Sequence, residues 1–267
     1  MTAINPAKLK MQVAALGELI SQPERFTARL HELLSFYSAR IRQTRLANTS
    51  QILKTYQAAK PVILALENEI AEKLKDEPEA GFTLLDRLWE EYWVEFRQLA
   101  IHVLGLLPSD QPDRIIHRAQ AWLEDCSSED IRRLIMTRGM SRLANARPQE
   151  SLQFIDELIS SGSNENLQAA LFGLEFYAKN PSYLNLPLLF NYLSKILLAE
   201  TSGLSKEISA LLRILASRSE QETTYFLLNQ LSPDHNPRIL RVIRQVMDNL
   251  SPDNQDLLRE KIETYRN

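Results

Sequence analysis

The chain has 267 residues, with 7 glycines, 12 prolines and one cysteine. Average glycine usage of about 7% would give roughly 19, so hairpins, bulges and phosphate-cradling loops, which need residues at positive φ, must be few. The 31 basic and 34 acidic side chains leave a net charge of −3, which as a bulk number argues against nucleic acid as the default partner.

Cys126 alone excludes an intrachain disulfide framework and a cysteine-based zinc cluster, and it fits a reducing, cytoplasmic setting. No apolar run reaches the roughly 18 residues of a membrane span. Glu18 interrupts the first apolar stretch, so neither a signal peptide nor a membrane partner is expected.

In chain order, two long helical patterns come first, about Lys8 to Ile20 and Pro23 to Asn48, followed by a helix from Pro61 to Lys75. Lys75-Asp76-Glu77-Pro78-Glu79 reads as a linker. Residues 1–76 are therefore expected to be N-terminal helices packing on an array formed by residues 77–267. Within the array, helices begin near Gly81, Gln111, Pro148, Leu184 and Glu220, in steps of 30, 37, 36 and 36 residues. Each step holds a second helix, starting near Val94, Glu129, Asn164, Leu204 and Asn236. A charged helix from about Asn254 to Tyr265 caps the end.

The periodicity behind these helices is explicit in Leu152, Ile155, Leu158 and Ile159, and again in Ile239, Leu240, Val242, Ile243, Val246 and Met247. Pro61, Pro112, Pro148 and Pro237 stand where a first helical turn begins, and Ser127 or Ser128 reads as an N-cap before Glu129. There is no alternating strand pattern. Two helices per 30–40 residues mark an all-α solenoid of HEAT or armadillo type, in which stacking buries the apolar face that one pair leaves open. The alternative is an irregular helical bundle.

Motifs for chemistry are sparse. The histidines His31, His102, His117 and His235 include no HExxH arrangement, and the chain has no GxxxxGK[ST], GxGxxG or GxSxG. No cofactor or metal is expected. His102 lies in the apolar pattern of Leu99, Ile101, Val103 and Leu104 and reads as a satisfied semi-buried residue; His117, beside Arg118, reads as solvated. Cys126 reads as inert. The carboxylates Glu90, Glu91 and Glu95, and the pair Glu124 and Asp125, read as solvated faces or helix-dipole partners before acid–base groups. Trp89, Tyr92, Trp93 and Phe96 either stack on bases or pack the first repeat against the N-terminal helices, and the i, i+4 pair Trp89 and Trp93 suits packing.

Charge divides by helix class. The first helices of the pairs carry 12 acidic and 4 basic side chains, −8, and the second helices 13 basic and 7 acidic, +6. Second helices line one surface of a solenoid, usually the concave one, so a mildly acidic chain is able to present a basic face. Arg133, Arg138, Arg142, Arg213, Arg238, Arg241 and Arg244 are the candidate nucleic-acid-binding residues, since a planar guanidinium suits phosphate. Pairing with acids on neighbouring helices is the competing reading.

The segment order resembles the AlkD-like family of DNA alkylation repair glycosylases. It runs through Tyr56-Gln-Ala-Ala-Lys60-Pro61, Leu88-Trp89, Glu95-Phe96-Arg97-Gln98-Leu99-Ala100, Asn166-Leu167-Gln168-Ala169-Ala170, and Lys206 to Arg213 followed by Phe226-Leu227. The resemblance covers roughly Tyr56 to Leu231. It implies a solenoid of HEAT-like repeats that binds duplex DNA in a concave cleft and releases cationic alkylated bases. Family enzymes use a tryptophan and an aspartate at the start of one second helix, an arginine in the next and a tryptophan in the one after.

Here the tryptophan-to-aspartate stretch falls on Glu129 to Arg133, with Arg133 at the aspartate's place. The arginine falls on Ala169 or Ala170 and the later tryptophan on Ala210, whereas Arg213, the structural arginine, is kept. A cation at the aspartate's place opposes a cationic intermediate by about 4 kcal/mol at about 4 Å and an effective dielectric of about 20. Three functions remain open at this level. One is a non-catalytic or catalytically altered relative that binds DNA through the second helices. Another is a protein–protein scaffold. The last is an active glycosylase with a rearranged site built on Asp130 and Trp122.

Overall fold

The computed structural model describes residues 4–38, 53–199, 203–231 and 239–266, apart from the side chains of 265 and 266. These residues fall into two units, Met1–Ser151 and Leu152–Asn267. Among the described residues the structure is helical, with one isolated bridge between Lys54 and Trp93 in place of any sheet.

The first unit contains α1 (Pro6–Gly17), α2 (Pro23–Tyr37), α3 (Lys60–Lys73), α4 (Pro78–Trp89), α5 (Val94–Leu106), α6 (Pro112–Asp125), α7 (Glu129–Leu134) and α8 (Ser141–Ala146). A π-helical turn, Ile135–Gly139, joins α7 to α8. Proline opens α1, α2, α4 and α6, where its missing N–H belongs to a group with no intrahelical partner. Asn5 and Ser128 cap α1 and α7 with their side-chain oxygens.

Packing follows an i, i+2 order. α1 lies on α3, α3 on α5, and α5 on the π turn; α2 lies on α4, which also packs along α5. The N-terminal helices thus extend the same ladder as the pairs that follow. Phe26, Leu30 and Leu34 of α2 and Leu84, Leu85 and Leu88 of α4 are fully buried, and each such side chain removed from water stabilises by about 1.5–3 kcal/mol.

α9 (Pro148–Ser161) crosses the boundary between the units. The second unit then holds α10 (Asn164–Lys179), α11 (Leu186–Ala199), α12 (Ser205–Arg218), α13 (Glu220–Gln230), α14 (Ile239–Val246) and α15 (Pro252–Arg266). Here α10 packs on α12 and α12 on α14, while α13 packs on α15. α15 is clipped at its start by Glu220, whose carboxylate accepts from the Ser251 N–H and the Asn254 amide, both at 2.6 Å.

The sequence period reappears in the hydrogen bonds. Trp89 to Asp125, Arg138 to His102, Ser209 to Gln245 and Gln230 to Ser194 each join residues 36 positions apart. One repeat is being tied to the next at equivalent positions, as stacking of like units requires. The expected helix starts hold to within a few residues. The helix expected from Pro23 to Asn48 is shorter than its pattern: α2 ends at Tyr37, where Ser38 turns extended, and the rest of that stretch from residue 39 lies outside the described residues, as does the start expected at Asn236 with Pro237.

One expected helix is not continuous. The stretch from Glu129 was read as a single helix, but Met140 N–H bonds to the Ile135 carbonyl, five residues back, and winds the middle into a π turn. There α5 comes very close: a Cβ at Gly105 would stand 2.4 Å from the Arg138 carbonyl oxygen. Gly105 permits that approach, and its service is close packing rather than a turn.

Candidate nucleic-acid interface

The seven candidate arginines divide between the units. In the first, Arg133 is half-buried on α7, Arg138 is in the π turn and Arg142 is exposed on α8. In the second, Arg213 is exposed on α12, and Arg241 and Arg244 are exposed on α14. Arg238 lies outside the described residues.

Arg138, Arg142 and Arg213 are tied into the fold, and Arg133 is not free either. Arg138 donates to Glu67 Oε1 at 2.7 Å and to His102 Nδ1 at 2.8 Å. Arg142 donates to the Leu106 carbonyl. Arg213 donates to the Gln245 carbonyl at 3.3 and 3.0 Å. The same habit extends to arginines outside the candidate set. Arg132 donates to the Cys126 carbonyl at 2.8 Å, and Arg218 to the carbonyls of Ala178, Asn180 and Tyr183 at 3.2, 2.9 and 2.7 Å.

Most of these acceptors end a helix. The last carbonyls of a helix have no intrahelical donor and carry the negative end of its dipole, so a cation from a neighbouring repeat is well placed there. Arg142, Arg213 and Arg218 thus spend their charge in fastening one repeat to its neighbour. Acids on neighbouring helices hold others, as in Arg97 to Asp125 and Arg138 to Glu67, both at 2.7 Å.

Arg241 and Arg244 differ. Their helix buries Ile239, Val242, Ile243 and Val246, and the two arginines point away from that stripe with no partner among the described residues.

The positions that carry the family's chemistry are also placed. α10 is buried without interruption from Leu167 to Glu175, and Ala169 and Ala170 are fully inaccessible. This overturns, for α10, the expectation of an open second-helix surface. Trp122, half of the rearranged-site reading, is 4% exposed and stacks face to face on Trp89 at 4.2 Å. Asp130 is exposed in the first turn of α7. Asp125 is occupied by the Trp89 indole N–H at 3.1 Å and by Arg97. Cys126 is buried, which pushes its thiol pKa up and away from reactivity.

The aromatic stretch splits. Trp89 ends α4 and Trp93 precedes α5, so the two do not share a helix face as their spacing suggested. Trp89 packs on Trp122 of the following pair, while Trp93 stacks on Tyr56 at 4.0 Å and Phe96 lies 4.3 Å from His31 of α2. His31 bridges Tyr56 at 2.7 Å and Glu91 at 3.2 Å. Sequence reading assigned His31 no role, because its partners lie 25 and 60 residues away. His102 is the satisfied, semi-buried residue expected, with Nε2 3.0 Å from the Glu67 carbonyl.

Paired helices stacked at a period near 36 residues place the chain in the all-α solenoid class. A family model described as DNA alkylation repair enzyme matches residues 40–246, and the chain belongs to that family. Comparison with curated proteins and with solved structures gives no match. No described helix is long and apolar enough to cross a membrane.

Proposed function

We propose that this protein is a nucleic-acid-binding member of the DNA alkylation repair family, built of HEAT-like repeats, in which base-excision chemistry is lost or altered. The observation that carries the binding reading is the pair Arg241 and Arg244: exposed, unpaired among the described residues, and opposite the buried stripe of α14. Exposed guanidinium groups with no acceptor among the described residues suit phosphate oxygens.

The loss of chemistry is inferred from residue types at the family's reacting positions. An arginine at 133 disfavours a developing cation, and alanines at 169, 170 and 210 offer neither charge nor a π-face. Trp122 cannot substitute while its face lies against Trp89. With one buried thiol, the protein suits a reducing, cytoplasmic setting.

The test is fluorescence anisotropy with a labelled duplex across a salt series. The expected result is binding that weakens with salt at a slope of about −0.9 per phosphate neutralised. Arg241→Ala with Arg244→Ala should flatten that slope by about two contacts. No binding of duplex or single strand at 50 mM salt removes the reading and leaves the protein scaffold in its place. Release of methylated purines from alkylated DNA would overturn the inference about chemistry.

A further inference from the structure

The turn between α4 and α5 holds one exposed aromatic side chain, Tyr92, beside a half-buried one, Trp93. Tyr92 is 52% exposed. The Arg97 guanidinium lies 5.4 Å from its ring centroid, and Arg97 is fixed in turn by Asp125 at 2.7 Å. A cation held near the ring orients Tyr92 without covering it. Trp93 is half-buried and lies parallel to Tyr56, at 4.0 Å and 11°. Lys54 is exposed, with Nζ 5.6 Å from the Trp93 ring centroid.

These three residues are also joined through the backbone. The Lys54 N–H donates to the Tyr92 carbonyl at 2.9 Å, and the Val94 N–H donates to the Lys54 carbonyl at 2.8 Å. The aromatic pair and the lysine are thus set side by side by an isolated bridge. Of the neighbouring acids, Glu95 is buried and accepts from the Thr55 hydroxyl at 2.8 Å through one oxygen, and the other two face Arg87. Glu91 accepts from Arg87 at 2.9 Å and lies 3.2 Å from His31 Nε2, and Glu90 lies 3.5 Å from Arg87. Lys54, exposed, forms no ion pair among the described residues.

We propose that Tyr92, Trp93 and Lys54 form a site for an unstacked nucleotide of single-stranded nucleic acid, with Tyr92 meeting the base, half-buried Trp93 bordering it and Lys54 meeting the adjoining phosphate. An exposed π-face accepts any base, and a single strand supplies base faces that a duplex keeps stacked. This site rests on the nucleic-acid reading above but uses different residues, so the two fail separately.

The experiment measures anisotropy of labelled oligothymidylate and of a duplex of equal length, with tryptophan emission followed in parallel. Trp89 and Trp122 are buried against each other, so quenching by the single strand reports Trp93. Tyr92→Ala is expected to weaken single-strand binding about tenfold or more, leaving duplex binding unchanged, while Tyr92→Phe retains the affinity. Lys54→Ala should reduce the single-strand salt slope by about 0.7. Single-strand binding unchanged by Tyr92→Ala, or unaccompanied by quenching, overturns the site and leaves the α14 reading intact. Failure of the wild-type protein to bind either nucleic acid overturns both.

Discussion

The Arg138 guanidinium meets the Glu67 carboxylate at 2.7 Å across 71 residues of chain. Arg138 comes from a π turn and Glu67 from α3, and between them stands His102 of α5, which bonds to both residues. Three successive repeats are thus tied by one polar cluster. Glu67 is 9% exposed, so removing its partner leaves a largely buried carboxylate without its cation.

Arg138→Gln should therefore destabilise the protein by about 1–3 kcal/mol, the cost of an unsatisfied buried acceptor discounted for the partial exposure of the arginine. Urea unfolding measures it. Adding Glu67→Gln should recover part of the loss, because the stranded charge goes with it. A double variant no more stable than the single one would count against this account.

His102 adds a pH dependence. Burial first, and then the adjacent Arg138 cation, lowers its pKa from the ordinary 6.5. The unfolded chain takes up a proton near pH 6.5, while the folded chain resists until a lower pH. Between those values the unfolded state binds more protons, so stability is complete above about 6.5 and falls as pH drops toward the folded pKa. Urea midpoints from about pH 7 to about pH 5 should show that decline, and His102→Gln should flatten it.

Gly105→Ala tests the π turn's packing. In an ordinary helix interior alanine stabilises by up to about 1 kcal/mol over glycine. Here the new Cβ meets the Arg138 carbonyl at 2.4 Å, and a backbone atom cannot rotate away. The expected sign is reversed, with a cost of about 1–3 kcal/mol and a lower Tm. An unchanged or raised Tm would show that the two helices have room to separate.

The repeat architecture was legible because its signals are local. Prolines at first turns, serine caps and apolar stripes each act within one helix, and Pro112, Glu129 and Asn164 began helices where the pattern put them. The π turn was not legible, since Ile135 to Gly139 carries the same apolar spacing as an α-helix. The arginines were legible only as charges. Whether a guanidinium faces water or a neighbour's last carbonyl depends on side-chain reach across some 36 residues, as in Arg142 to Leu106, and composition does not encode it. Tyr92 and Trp89 show the same limit: three residues apart in one aromatic run, one is exposed and the other buried, because α4 ends at Trp89.

The division of labour among the arginines makes its own prediction. Arg218 closes the end of α10 with bonds to Ala178, Asn180 and Tyr183, and a guanidinium spans those carbonyls where a lysine ammonium cannot. Arg218→Ala should cost about 1–3 kcal/mol in urea unfolding, and Arg218→Lys should restore only part. Arg241→Ala and Arg244→Ala, which disturb no internal bond among the described residues, should stay within about 0.5 kcal/mol of wild type while weakening nucleic-acid binding. Stability and binding then separate on different arginines of the same unit. Equal unfolding midpoints for Arg218→Ala and Arg241→Ala would show that the carbonyl contacts contribute nothing to the fold.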